Sequence, residues 1–337
     1  MTAAPVTDGL AARNPVEVLP LAGLTTMRVG GPATVATLHD RADLAEVLDR
    51  PHRWLGRGAN LLVADAGVPE LVVRLGAPFA GIAAEDLGGR VRLTVGAATD
   101  LAELIGFCTR GGLAGPEGLA GVPATVGGAL RMNAGTAHCW ILDFTSRVEV
   151  LLAGERTPRW LDRAELPAAY RTCGLPPGTL FLGCELELGR GDPEALRARA
   201  AQLKKAKAAS QPLALPSAGC VFKNPAPDMP AGRLIDQLGL KGARIGGASV
   251  SPIHANFIVN DARSAAADDV ADLVRWIRRT AWDERGIVLQ MEVETWAMPD
   301  DLRAHPRDVT VRRQPERPLA CGGPQEIGSS RRAAEAS

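Results

Sequence analysis

The chain has 337 residues, enough for two or three domains, and its 46% hydrophobic and 23% charged content is ordinary for a globular protein. Its 38 Lys and Arg residues balance 38 Asp and Glu residues, so no overall charge attracts nucleic acid or an anionic membrane. Six cysteines without a C-x-x-C pair argue against structural zinc, and the lack of a long apolar run predicts a cytoplasmic protein without a signal peptide or spanning helix.

In chain order, residues 1–15 are predicted to be a loose arm. Patterning then predicts short strands at 35–37, 54–55, 71–73, 91–95, 148–152, 180–188 and 288–297, and helices at 43–49, from 99, and at 193–210, 231–238 and 265–282. In the helix that begins near residue 99, Cys108 follows apolar residues at helical spacing, which places it in the core. Residues 300–337 are polar and rich in Pro, Arg and Gly, which predicts a disordered tail. The order of elements favours an α+β fold over a regular βαβ array.

A first glycine-rich segment, L-G-R-G-A-N-L-L, occupies residues 55–62 after a predicted strand. Its two alternate glycines expose backbone N–H groups that can cradle a phosphate. It is not a G-x-G-x-x-G motif, because Leu61 stands where the third glycine would be, and it lacks the Gly-Lys of a P-loop. By itself this segment is equally consistent with a turn and with a ligand loop.

A second glycine-rich segment spans residues 115–135, where glycine alternates with small residues and only Glu117 and Arg131 are charged. Such a composition suits neither a helix nor a strand interior. We therefore expect the segment to wrap an extended, flat ligand that carries phosphate.

A third segment, A-G-C-V-F-K-N-P, occupies residues 218–225. Cys220 follows a glycine, which lets a ligand approach closely, and Lys223 lies three residues on, where an ammonium lowers the pKa of a thiol. Without further context, a small buried hydrophobic residue is the commoner role of such a cysteine.

Taken together, these motifs make the chain resemble the UDP-N-acetylenolpyruvoylglucosamine reductase (MurB) family. The matching segments follow the family order from about Leu21 to Trp296. They are residues 25–33, 55–62, 115–135, 170–173, 211–225, 241–244, 254–257 and Glu292.

The resemblance implies an α+β fold with a two-subdomain FAD-binding module of the vanillyl-alcohol oxidase (PCMH) type and a C-terminal α+β substrate domain. The implied boundaries are an arm at 1–15, FAD-binding subdomains at 16–75 and 76–205, a UDP-sugar domain at 206–299 and a tail at 300–337. The implied activity reduces the enolpyruvyl group of the UDP-sugar to UDP-N-acetylmuramate in peptidoglycan synthesis, with FAD as cofactor and NADPH as reductant. We expect a monomer that binds neither nucleic acid nor membrane.

The resemblance assigns FAD contacts to the glycine-rich segments and to one preceding arginine. These residues are Arg28, Gly56, Arg57, Gly58, Ala59, Asn60, Leu61, Gly115, Gly121, Val122, Pro123, Thr125, Gly127, Gly128, Asn133, Ala134 and Gly135. Ala59 departs from the serine of many relatives, which removes a hydroxyl but leaves the backbone donor in place.

The resemblance makes Cys220 the proton donor, Arg171 the partner of the substrate carboxylate, and Glu292 a group that stabilises the enol intermediate. A thiol suits proton donation because it is a stronger acid than a hydroxyl and is protonated at neutral pH. Strand alternation alone cannot choose between Glu292 and Glu294, and the family pattern favours Glu292. Cys173 replaces a common serine without an implied role.

Further side chains are expected to contact the UDP-sugar. They are Tyr170, Gln211, Lys223 and Asn224. For Lys207 an exposed helix face is an equally good interpretation, and for His254 and Asn256 a structural role is at least as well supported. The spacing of His, Cys and carboxylate residues indicates no metal site.

Two alternatives remain. A binding protein could retain the fold without turnover, although the Arg171, Cys220 and Glu292 set argues against it. Another oxidase of the same flavin-domain superfamily would use a His or Cys linkage to the flavin, for which His138 and Cys139 are candidates. The motifs of the third domain disfavour that oxidase.

Overall fold

The computed structural model describes residues 8–316. Its seven helices in this range are α1 Asp8–Arg13, α2 Leu44–Leu48, α3 Leu101–Arg110, α4 Val126–Arg131, α5 Pro193–Ser210, α6 Ala231–Gln237 and α7 Ala267–Arg285. The strands are β1 Val16–Pro20, β2 Pro32–Leu38, β3 His52–Trp54, β4 Leu61–Val63, β5 Leu71–Leu75, β6 Ile82–Asp86, β7 Arg90–Gly96, β8 Leu113–Ala114, β9 Thr145–Leu151, β10 Arg159–Asp162, β11 Leu180–Arg190, β12 Ser217–Cys220, β13 Arg244–Ile245, β14 Ala248–Val250, β15 Phe257–Val259 and β16 Glu294–Trp296.

The first sheet has the order β1-β2-β5-β3, with β2 and β3 parallel to β5 and β1 antiparallel to β2. Side chains on successive residues point to opposite faces of a strand. Accordingly Val35 and Val72 enter one hydrophobic cluster, and Ala36 and Val73 enter another. The sheet is therefore covered on both faces, which explains its continuous apolar runs.

The second sheet has the antiparallel order β10-β9-β11-β7-β6, and β8 pairs with β11 outside this path. Helices α3 and α4 pack against it and close a core that contains Cys108, which is fully buried as predicted. Asp100 caps α3 by accepting a hydrogen bond from the backbone N of Ala102 at 2.9 Å.

The third sheet has the order β12-β15-β14-β13 and packs against α6 and α7. Helix α5, predicted at 193–210, has those same bounds in the structure. It connects the second sheet to the third. No helix within residues 8–316 is long and apolar enough to cross a membrane.

The strand predicted at 288–297 is mostly wrong, since only β16 forms a ladder there, parallel to β4. The predicted alternation survives, because Leu289, Met291 and Val293 are buried. Residues 290 and 292 instead form backbone hydrogen bonds with the loop after β12. The backbone N–H of Lys223 donates to the carbonyl of Gln290 at 2.9 Å, and the backbone N–H of Glu292 donates to the carbonyl of Val221 at 2.8 Å.

The loose arm predicted at 1–15 is wrong over residues 8–15. Leu10 is fully buried in the core of the first sheet, and Asp43 accepts hydrogen bonds at 2.7 Å from both Arg13 and Asn14. The burial of Leu10 and the hydrogen bonds to Asp43 hold α1 in place. The composition of residues 1–15 does not reveal these contacts, because their partners lie elsewhere in the chain. Residues 1–7 lie outside the described part of the chain.

The disordered tail predicted at 300–337 is wrong over residues 300–316. Leu302 and Val309 are buried, and Asp301 accepts hydrogen bonds from the buried Arg275 of α7 at 2.8 and 2.9 Å. Arg313 pairs with two carboxylates of the same helix. The partners of this polar segment are far from it in sequence, so composition alone suggested disorder. The remainder of the predicted tail, residues 317–337, lies outside the described residues.

Asp301→Asn is expected to destabilise the protein by about 2 kcal/mol, because Arg275 is fully buried and retains only Asp272 as a carboxylate partner. Asp300→Asn, one residue earlier and exposed, is the matched control and should change little. The measurement is urea unfolding of both variants. Equal unfolding midpoints for the two would contradict the role given to Asp301.

Candidate active site

A cavity of about 1610 Å³ lies between the three larger sheets and the two-stranded β16-β4 sheet. Its walls include Gly56 and Gly58 after β3, Thr125 at the start of α4, and Cys220 at the end of β12. Small-molecule pockets commonly measure ~300–1,000 Å³, so this one has room for an extended ligand and a second one beside it. The cavity is therefore the candidate active site.

The glycine loop after β3 lines this cavity, which favours a ligand loop over a plain turn. Gly58 has φ 61°, and a Cβ atom there would collide with the carbonyl oxygen of Leu24. A Cβ on Gly56 would come within 3.0 Å of the Thr125 hydroxyl. The loop and the start of α4 are therefore so close that a side chain at position 56 would be crowded.

The second glycine segment is more structured than predicted, because residues 126–131 form the helix α4. Thr125 caps it by accepting a hydrogen bond from the backbone N of Gly128 at 3.2 Å. A Cβ on Gly127 would lie 3.0 Å from the Cβ of Ala97, and one on Gly135 would collide with the Trp140 ring. These glycines permit close protein packing as well as ligand contact.

Most residues predicted to contact FAD line the cavity. They are Arg28, Gly56, Arg57, Gly58, Ala59, Asn60, Leu61, Val122, Pro123, Thr125, Gly127, Gly128, Ala134 and Gly135.

Three predicted FAD residues lie outside the cavity lining. A side chain on Gly115 would meet Phe144, and Gly121 packs against the lysine side chains of α5. Asn133 donates a hydrogen bond at 3.3 Å to the carbonyl of Ala169. It therefore supports the loop that carries Arg171 rather than the cavity wall.

Arg171 and Glu292 meet inside the cavity, with 2.9 Å between Nε of Arg171 and Oε1 of Glu292. The Nε–H group is not aligned with this oxygen, so the contact is an ion pair without a well-directed hydrogen bond. Arg171 also donates to the carbonyl of Gly135 at 3.0 Å, and its guanidinium lies 5.3 Å from the Trp140 ring and 5.5 Å from that of Tyr170. These contacts fix the guanidinium from several sides.

Both Glu292 and Glu294 line the cavity, and their exposure favours Glu292 as the functional one. The side chain of Glu292 is 11% exposed, whereas that of Glu294 is 55% exposed and pairs with Arg303. Burial raises the pKa of Glu292, and the positive charges of Arg171 and Lys223 oppose that rise. Asn60 of the glycine loop donates to the Glu292 carbonyl at 3.1 Å, which ties the two segments together.

The Cys220 thiol has a pKa raised to about 12 by burial and, secondarily, by the negative charge of Glu292. Arg171 and Lys207 oppose this rise. The thiol is therefore protonated at neutral pH, as the sequence analysis expects of a proton donor. The lysine that acts on the thiol is Lys207 of α5, beside Arg171, whereas Lys223 acts on Glu292.

Comparisons with known proteins identify the relatives of this chain. A family model described as UDP-N-acetylenolpyruvoylglucosamine reductase, C-terminal domain, matches residues 211–296, and one described as FAD binding domain matches residues 28–158. UDP-N-acetylenolpyruvoylglucosamine reductase of Thermus thermophilus is 43% identical over 281 residues, which cover 83% of this chain and 99% of that protein. The reductase of Syntrophobacter fumaroxidans is 40% identical over 284 residues, 81% of each chain.

The crystal structure of the reductase from Thermus caldophilus has a TM-score of 0.74 and 42% identity, over 84% of this chain and 99% of that one. The chain belongs to the UDP-N-acetylenolpyruvoylglucosamine reductase family. This confirms the predicted family and the predicted combination of an FAD-binding module with a separate C-terminal domain. The domain boundaries and the roles of individual residues stay predictions.

The cavity fits the cofactor that this family implies. FAD needs backbone N–H groups near its diphosphate and reactive side chains near its isoalloxazine ring. The loop at 56–60 lines the cavity and can supply the first, whereas in the second segment the N–H groups of Gly115, Gly118, Gly127 and Gly128 already bond to protein acceptors. The cluster of Cys220, Arg171 and Glu292 lies in the same cavity. His138 lines the cavity too, while the Cys139 thiol donates a hydrogen bond to the carbonyl of Gly115 at 3.7 Å.

The predicted substrate residues divide into two groups. Tyr170, Gln211 and Asn224 line the cavity, whereas Lys223 does not. Among the residues left open, Lys207 lines the cavity and Asn256 is a structural anchor that exchanges two hydrogen bonds with the Phe222 backbone.

His254 lies outside the cavity lining, whereas several lining residues carry no signal in the sequence. His254 accepts a hydrogen bond from the backbone N of Asn256 at 3.2 Å, which is a structural role. Trp140 and Arg263 also line the cavity and had been missed. No sequence motif predicts these two residues, because they lie far apart in the chain and only the folded structure brings them to the same cavity. Within residues 8–316 no group of three or more His, Cys, Asp or Glu could hold a metal.

Alkylation with iodoacetamide tests the charge balance at Cys220. At pH 8 we expect about a thousandfold less thiolate than for a thiol with the usual pKa of 9.0, because the pKa is about 12. Labelling should therefore be slow and should keep rising with pH above 9. The readout is the rate of labelling of the Cys220 peptide by mass spectrometry.

Glu292→Gln removes a negative charge and should lower the pKa of Cys220, so labelling should become faster. Glu294→Gln is the matched control, two residues on and exposed, and should leave the rate unchanged. Labelling of the unmodified protein at pH 8 as fast as free cysteine would refute the raised pKa.

Proposed function

We propose that this protein is an NADPH-dependent flavoenzyme that reduces UDP-N-acetylenolpyruvoylglucosamine to UDP-N-acetylmuramate for peptidoglycan synthesis. The observation that carries the proposal is the convergence of Arg171, Glu292 and Cys220 in one cavity bounded by two glycine segments. A protein that only binds its ligands would not need a thiol, a guanidinium and a low-exposure carboxylate together in that cavity.

FAD, when bound, supplies the carrier that takes a hydride from NADPH and delivers it to the vinyl carbon of the enolpyruvyl group. The protein must then stabilise negative charge on the substrate carboxylate and protonate the adjacent carbon. Arg171 suits the first task, because a planar guanidinium can bind a carboxylate through two hydrogen bonds. Its contacts with Gly135 and the Trp140 ring hold it in position before substrate binds.

Cys220 suits the second task. Its thiol is protonated at neutral pH and can transfer that proton to the basic carbon formed after hydride addition. The transfer breaks the S–H bond, forms a C–H bond and leaves a thiolate. The positive charges of Arg171 and Lys207 favour that thiolate, which then recovers a proton from solvent.

Glu292 suits the stabilisation of the enol form. Burial raises the pKa of its carboxyl, so a protonated Glu292 is more accessible than for an exposed glutamate. In that form it can donate a hydrogen bond to the developing enolate. Its ion pair with Arg171 also orients the guanidinium between turnovers.

We further propose that the protein acts in the cytoplasm as a monomer. NADPH and a UDP-sugar are its partners, and the equal numbers of basic and acidic residues give no general attraction to nucleic acid or membrane.

Two half-reactions separate the roles of the residues. Yellow holoprotein mixed with NADPH without oxygen should lose its flavin colour, and UDP-N-acetylenolpyruvoylglucosamine should restore it. Cys220→Ala should bleach normally but recover its colour about 10²- to 10⁴-fold more slowly, because the proton donor is gone. Stopped-flow absorbance measures both steps.

Cys220→Ser is the matched control, since a hydroxyl can also donate a proton, and it should recover faster than Cys220→Ala. Normal recovery by Cys220→Ala would remove the thiol from the mechanism. If the unmodified protein bleached with NADPH but the enolpyruvyl substrate failed to restore its colour, the assigned reaction would be wrong.

Arg171→Lys should lower kcat/KM for the enolpyruvyl substrate by about 10²-fold, because lysine keeps the charge but loses the planar pair of donors. Bleaching by NADPH should be nearly unchanged. Arg163→Lys is the control, since Arg163 bonds the carbonyl of Leu142 outside the cavity. Steady-state kinetics of both variants give the answer, and equal kcat/KM values would argue against the role of Arg171.

A further inference from the structure

Arginines account for most of the non-glycine residues with left-handed backbone in the described part of the chain. Five non-glycine residues within 8–316 have positive φ, and three of them are Arg28 (φ 61°), Arg171 (φ 59°) and Arg263 (φ 55°). All three line the same cavity. Left-handed backbone is unfavourable for a residue with a Cβ atom and is tolerated mainly at functional sites. Glycine would avoid this cost, so the three arginine side chains require a reason.

Arg28 and Arg263 lie on two loops that are joined to each other. Asn260, which is fully buried, donates to the carbonyl of Met27 at 3.2 Å and accepts from the backbone N of Ala265 at 3.0 Å. The backbones of both loops are thus fixed to one amide side chain, while the two arginines are exposed at the rim of the cavity.

The two guanidiniums keep an uncompensated positive charge. Within residues 8–316 no carboxylate lies within ion-pair distance of Arg28 or Arg263, whereas Arg57 pairs with Asp100 and Arg171 with Glu292 on the same cavity. Arg28 donates only to the carbonyl of Gly23, at 3.1 Å, among the described residues. A planar guanidinium with free donors is suited to a phosphoryl group.

We propose that Arg28 and Arg263 form a phosphate-binding pair that holds a phosphoryl group of the nucleotide exchanged during turnover. The proposal rests on the proposed function, in which NADPH and the UDP-sugar use the cavity in turn. Arg28 belongs to the segment matched by the FAD binding domain and Arg263 to the segment matched by the C-terminal domain. A nucleotide that enters between these two segments can contact both arginines. In this proposal Arg28 binds the exchanged ligand, which replaces the FAD contact that the resemblance assigned to it.

Arg28→Gly and Arg263→Gly test this pair, because glycine relieves the left-handed strain while removing the charge. The melting temperature and the ratio of flavin to protein absorbance should not fall. The KM of the affected nucleotide should rise about 10- to 100-fold for each variant. Lysine at either position should recover part of the affinity. Arg90→Gln is the control, since Arg90 is also exposed and bonds one carbonyl oxygen, but away from the cavity.

The source of the phosphoryl group follows from three ligands: NADPH, NADH and UDP-N-acetylenolpyruvoylglucosamine. A rise in KM for NADPH but not for NADH identifies the 2′-phosphate. A rise in KM for the UDP-sugar alone identifies its diphosphate, and a rise for all three ligands identifies a shared diphosphate position. Unchanged constants for all three, or loss of bound FAD, overturn the proposal. An unmodified protein that NADPH fails to bleach would contradict the proposed function instead.

Discussion

The ion pair between Arg171 and Glu292 is the contact on which the site depends. It joins the loop before β11 to the segment that leads into β16. That segment also bonds the loop after β12, so the second sheet, the β16-β4 pair and the third sheet are linked beside the cavity. A pair of low exposure is stable only when its remaining polar groups are satisfied. Gly135 accepts one hydrogen bond from Arg171 and Asn60 ties the backbone of Glu292 to the glycine loop, while the Nε–H of Arg171 has no aligned acceptor among residues 8–316.

The same charges govern Cys220. Burial and Glu292 raise the pKa of the thiol, and Arg171 and Lys207 limit that rise. The thiol therefore stays protonated at neutral pH, and the two cations are near enough to stabilise the thiolate that loss of its proton would leave. An acid of this kind differs from a nucleophilic cysteine, whose pKa is lowered by its neighbours. One arrangement of four charged or ionisable groups therefore keeps the thiol protonated and holds the guanidinium in the cavity, as the proposed roles require.

Packing at the two ends of the described chain supports this arrangement indirectly. Leu10 fills the core of the first sheet, and Asp301 forms an ion pair with the buried Arg275 of α7, the helix that packs against the third sheet. Both segments have the composition of loose termini, and both are held by a few buried groups whose partners are distant in sequence. Local polarity cannot report such contacts, because their free energy arises only when α1 and α7 are in place.

The sequence by itself determined the family, the α+β class and helix α5, and it predicted Cys220, Arg171 and Glu292 as site residues, because these rest on local patterns and ordered motifs. Alternation also indicated which side chains between 289 and 293 are buried. Only the tertiary structure decided that Lys207 rather than Lys223 acts on the thiol, that Glu292 is shielded while Glu294 is exposed, and that Arg263 reaches the cavity. These facts depend on contacts between segments far apart in the chain, which no local pattern encodes.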